Sequence, residues 1–130
     1  MVAHYFPSAS DQQVEWRQYV EQLNQTFTIL VTLRAIEQLF KLHPEAGGFR
    51  LALGTSSGRD IESVKEGLVA AEVFSATSPT SNQKLKKDLM RLGTDRAQHR
   101  YVFFCCPGYS AGRQQALEKN SGIKVYAVDL

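Results

Sequence analysis

The chain has 130 residues, 43% of them hydrophobic, enough to close one core and within the commonest size range of a single domain. Fifteen Lys and Arg against thirteen Asp and Glu leave a formal charge of +2, too little for the surface as a whole to attract nucleic acid, so any electrostatic argument must be local. No apolar stretch approaches the roughly 20 residues of a membrane span, and residues 1–10 lack the basic and apolar regions of a secretory signal, so a soluble, cytoplasmic protein is expected.

Ser10, with Gln13 three positions on, forms a capping-box start, and Val20, Leu23, Phe27, Leu30, Leu33 and Phe40 follow at helical spacing. A long helix, or two in series, is expected to run to about Leu42, where His43-Pro44 and then Gly47-Gly48 break it. Trp16 and Tyr19 sit on this helix at a spacing that favours a core or an interface. Residues 49–53 predict a first strand, followed by the turn-rich Gly54-Thr55-Ser56-Ser57-Gly58. A second strand spans Ile61 and Val64, Glu66-Gly67 suits a tight hairpin turn, and the nearly apolar residues 68–77 predict a third strand covered on both faces.

A second interpretation exists for residues 59–77, because Ile61, Val64, Leu68 and Ala71 also match one helix. Gly67 in its middle opposes it, costing about 1 kcal/mol relative to Ala. In that interpretation the loop from Gly54 to Gly58 joins a strand to a helix, as in a phosphate cradle, and the chain becomes a small nucleotide-binding α/β domain.

Ser81 or Asn82 can cap the next helix, in which Leu85, Leu89 and Leu92 form a stripe and Gly93 is the stop. Residues 101–106 are the clearest strand in the chain. A short helix is expected from about Ala111 to Lys119, with Ser110 as its cap and Arg113 near the basic face, and residues 123–128 form a last strand. If that strand leaves an unpaired edge, it offers a route to a homo-oligomer. The adjacent Cys105 and Cys106 read as small residues of a buried strand, not as a disulfide, and His4, His43 and His99 show no ligand spacing.

The chemistry centres on two acids. In the hairpin reading Asp60 stands opposite Val73, which brings its carboxylate towards Glu72. Glu72 lies in Ala70-Ala71-Glu72-Val73-Phe74, where a lone ionised carboxylate is costly to bury. Either a divalent cation shared with Asp60 compensates it, or it reaches water or a backbone donor.

The order of helix, strand, strand with Asp, hairpin, strand with Glu, helix, strand, together with Arg59-Asp60-Ile61 and Ala71-Glu72-Val73-Phe74, resembles the PD-(D/E)XK nuclease superfamily over residues 36–107. That is the fold of many restriction enzymes and junction resolvases. The resemblance implies a single restriction endonuclease-like α/β domain over residues 1–130: three layers, with a long N-terminal helix and then a mixed central sheet. The expected order is helix-strand-strand-strand-helix-strand-helix-strand. It further implies a Mg2+- or Mn2+-dependent phosphodiesterase acting on nucleic acid, with Asp60 and Glu72 as the metal-binding acids and Glu37 as an additional acid on the first helix.

In that superfamily the cation polarises the scissile phosphate and activates water, while a lysine two residues after the Glu orients or deprotonates the nucleophile. Here that position is Phe74. Either another cation has taken over the task or hydrolysis has been lost, leaving a silent module that binds nucleic acid or a protein. Lys84, at the start of the next helix, resembles superfamily variants in which the lysine has migrated there; its other reading is a solvated surface lysine. Lys84, Lys86, Lys87, Arg91, Arg96 and Arg100 against Asp88 and Asp95 give a local charge of +4 over seventeen residues, which suits contact with a phosphate backbone or simply a solvated helix face.

Overall fold

Proline 44 ends the first helix where its ring excludes helical geometry for His43. The computed structural model, which describes residues 9–52, 59–76 and 83–130, carries one unbroken helix, α1 (Ala9–Leu42), and then a single 3-10 turn at Pro44–Ala46. Ser10, the expected cap, falls inside α1. Beyond the turn come β1 (Phe49–Leu51), β2 (Ile61–Ser63) and β3 (Val69–Ser75), then α2 (Lys84–Gly93) and β4 (His99–Cys105). The chain closes with β5 (Gly112–Arg113), α3 (Gln115–Glu118) and β6 (Lys124–Ala127). The strands form one mixed sheet in the order β1-β2-β3-β4-β6-β5, antiparallel from β1 to β3, parallel across β3-β4-β6, and antiparallel at β5.

Residues 59–76 contain two strands, so the single-helix interpretation falls, and with it the basis of the nucleotide-binding reading. The loop from Gly54 to Gly58 lies outside the described residues. Glu66-Gly67 occupies the turn as expected, Gly67 taking the φ of 75° that favours glycine. The register is nevertheless one residue away from the expected one: Ile61 faces Ala71 and Glu62 faces Ala70, and Asp60, just ahead of β2, accepts the Val73 N–H through its carboxylate. The cause is Ser63. Its Oγ accepts the Val69 N–H at 2.9 Å and donates to the Lys65 carbonyl, so β2 stops at Ser63 and residues 64–68 form the connection. A one-residue slip exchanges the two faces of a strand, so this detail sets which side chains meet.

Burial alternates along the sheet. Val69, Ala71, Val73, Tyr101 and Phe103 face α1 through Val31, Ala35 and Leu39. Ala70, Phe74, Val102 and Phe104 face α2 through Leu85 and Leu92. β3 is therefore covered on both sides, as its composition requires. On α1 the outcome differs from the sequence expectation: Val20, Leu23, Phe27, Leu30, Leu33 and Phe40 are exposed, and so are Trp16 and Tyr19. The helix is apolar on two opposite sides, and the side bearing the small Ala35 is the one that approaches the sheet.

The end of the chain also departs from expectation. Gly112 adopts φ 129°, which no helix tolerates, so Gly112-Arg113 pairs with β6 and the last helix is reduced to α3. Gln114, not Ser110, occupies the cap position; its side chain donates to the Ser110 carbonyl. Arg113 pairs with Glu118 at 2.8 Å on this edge of the sheet, away from α2. β6 lies between β4 and β5, so the unpaired edge proposed as a route to a homo-oligomer does not exist there. Among the described residues no helix is long and apolar enough to cross a membrane.

Candidate metal and phosphodiester site

Three elements bring acids together on the α2 side of the sheet. Asp60 leads into β2, and its Oδ2 accepts the Val73 backbone N–H at 2.9 Å, tying it to β3. Glu72 points from the middle of β3 with its side chain wholly buried. Asp88 comes from α2, where Leu85, Asp88 and Leu92 share the inward face. The preceding residue fixes the frame: Arg59 donates twice to Asp95, just beyond α2, with Nη2 to Oδ1 at 2.9 Å, and once to Glu62 at 3.2 Å. The approach to β2 and the end of α2 are thereby clamped to each other.

The charge on this side is poorly compensated. Arg91 donates to Glu72 Oε1 at 3.3 Å, but its side chain is 58% exposed and solvated. Glu72 Oε2 and Asp88 Oδ2 are buried and meet no donor. Burial, the shared hydrogen bond that a protonated Glu72 makes with Asp60, and the charges of Asp60 and Asp88 push Glu72 up to about 8. Burial likewise pushes Asp88 up to about 6, against the opposing pull of Lys84. Native interiors leave very few polar atoms unsatisfied, so two such oxygens in one cluster call for a ligand or a proton.

Glu72 thus has a basic neighbour that its local sequence does not contain. Asp88, which the sequence presents only as part of the charge balance, has a signal of its own: one acid inside the Leu85, Leu89, Leu92 stripe. Glu37 is not brought to this cluster. It is exposed on α1, against the opposite face of the sheet, and pairs with Arg34 at 3.2 Å. Lys84 stands exposed at the first turn of α2, and its charge acts on Asp88 rather than directly on Glu72. Ser81 and Asn82, the expected caps, lie outside the described residues; Gln83 holds the cap position with φ 55° and no side-chain bond.

The basic segment divides by geometry. Lys84, Lys87 and Arg91 are spaced to share one flank of α2, whereas Lys86 projects from the other. Arg100 donates to the Leu92 carbonyl at 3.0 Å and closes the end of α2. The unexpected contact of His43 is structural in character: its Nε2 lies 2.6 Å from the Tyr101 hydroxyl and its Nδ1 3.2 Å from Glu45, on the α1 side.

Phe74 stacks on Phe104 at 5.5 Å between ring centres and is 2% exposed. A lysine cannot be accommodated here at small cost. Phe74→Lys is expected to destabilise the fold by about 3–5 kcal/mol through lost packing and a buried charge. Chemical denaturation of the purified variant checks the figure.

The donor set suits a hard divalent cation: carboxylate oxygens, two of them unsatisfied. Among the described residues no three His, Cys, Asp or Glu side chains are spaced as a ready-made cage, so water and substrate oxygens would complete any coordination by Asp60 and Glu72. No protein-family model, curated protein or solved structure matches the chain.

Proposed function

We propose that the chain is a Mg2+- or Mn2+-dependent phosphodiesterase acting on nucleic acid, on a restriction endonuclease-like core. The observation that carries this reading is the fully buried Glu72 carboxylate, one oxygen without a donor, beside the carboxyl of Asp60 just ahead of β2. The order of elements from α1 to β4 supports it as well. Held by Asp60 and Glu72, the ion supplies Lewis-acid polarisation of the scissile phosphate. The Val73 N–H fixes the Asp60 carboxylate, and Arg59 keeps β2 in place against α2. Arg91 and Lys87 grip the phosphate backbone from one flank, with Lys86 beyond them. Lys84, beside Asp88, takes the task of the missing lysine in orienting the nucleophile.

The test is cleavage of labelled DNA and RNA with Mg2+ or Mn2+, comparing the protein with Glu72→Ala and Lys84→Ala. Lys84→Ala is expected to lower the rate by about a hundredfold or more, the scale of one acid–base group, with only a small fall in the thermal midpoint, since the side chain is exposed and acts on Asp88 through its charge alone. An unchanged rate assigns Lys84 to the solvated surface. The buried, stacked Phe74 favours a second reading, a silent module of the same fold that binds nucleic acid or a protein. Binding that weakens steeply with salt, with no cutting in either metal, is the result that reading requires.

A further inference from the structure

The uncovered side of α1 repeats with a period of its own. Trp16, Tyr19, Leu23, Leu30, Leu33 and Phe40 occupy the alternating three- and four-residue positions of a seven-residue repeat, and Thr26 and Glu37 complete it. This seam runs opposite the Val31, Ala35, Leu39 side that meets the sheet. Trp16 is 69% exposed, Tyr19 62%, Leu23 57% and Leu33 55%. Scattered apolar residues are ordinary on a protein surface, but a continuous row along one helix marks an interaction face.

We propose that this seam docks against the same seam of a second copy, the two α1 helices lying antiparallel. Area and pattern identify the occupant. With Val20 and Phe27 beside it, the row offers about 800 Å2 of uncovered apolar surface, on a scale of 150–250 Å2 for a whole aromatic side chain. That matches the roughly 800 Å2 per partner of a standard stable interface. A seven-residue repeat is matched by a helix with the same repeat, and a two-fold axis supplies one from the same chain. Charge selects the direction. Glu15 borders the first half of the seam, while Arg34 and Lys41 border the second. Antiparallel packing sets these halves against each other, and it avoids facing Glu37 with its own copy. The register that keeps the seam continuous places Leu23 opposite the second copy's Leu33, and Trp16 opposite its Phe40.

Charge exchange tests the contact and its direction. Sedimentation of the full chain at about 50 μM, a concentration that saturates a low-micromolar dimer, is expected to show a dimer. Leu23→Glu and Leu33→Lys are each expected to sediment as monomers with unchanged helix content, because both positions are exposed. The double variant L23E/L33K is expected to regain the dimer, since each Glu then faces a Lys. A monomeric starting protein, single variants that remain dimeric, or a double variant that stays monomeric each overturns the proposal.

Discussion

Glu72→Gln is expected to lower metal-dependent cleavage by about a thousandfold or more, and at the same time to make the metal-free protein more stable at pH 8. The two effects have opposite signs because one carboxylate is asked to do two incompatible things. In the proposed role of ligand, its negative charge would contribute several kcal/mol to binding and polarisation through the ion, and each 1.36 kcal/mol is a factor of ten in rate. As a buried group without an ion, the same charge is a burden: its Oε2 has no donor, and the solvated Arg91 offsets only part of the cost. Gln keeps the shape, loses the charge and donates an N–H towards Asp60. Cleavage assays and denaturant titration on one preparation read both effects. An inactive variant that is also unstable would point to a packing role instead.

The metal-free protein is expected to lose stability as pH rises from about 5 to 8, and Mg2+ is expected to restore it. Glu72 titrates at about 8 when folded, against an ordinary 4.5, so between those values the folded chain holds a proton that the unfolded chain has lost. Its component of stability is full below 4.5 and falls by about 1.4 kcal/mol for each pH unit crossed, levelling off above 8. Asp88 adds to the slope only up to about 6. Burial and His43 hold His99 below its ordinary range as well, so the difference between the protein and Glu72→Gln isolates the carboxyl. Cation binding must expel that proton, so Mg2+ stabilises most at the alkaline end, by about 2.7 kcal/mol at a hundred times its dissociation constant. A metal-free midpoint with the same pH dependence in both proteins would remove the argument.

Much of this was legible in the chain. The apolar residues 68–77 announced a strand buried on both faces, Glu66-Gly67 located the turn, and Asp60 and Glu72 stood out as acids in strand-like surroundings. The exact register was not, because it depends on the Ser63 hydroxyl closing the ladder, a tertiary detail with no periodic signature. Nor was the partner of Glu72, since Arg91 arrives from α2, nineteen positions away. Glu37 enters through the resemblance alone, and α1 packs on the face of the sheet opposite Glu72, which keeps it away. On α1 the periodic large side chains were the visible signal, yet the sheet took the face with Ala35, where a small residue permits close approach. Large residues on the far side then remained uncovered.

Asp60 and Glu72 form the proposed cation pocket, and calorimetric titration of the protein with Mg2+ and Mn2+ at pH 8 measures its occupancy directly. The expected result is saturable binding by the protein, accompanied by proton release, and its loss in both Asp60→Asn and Glu72→Gln. Absence of binding in the protein itself, or equal binding by the folded Glu72→Gln variant, would contradict it.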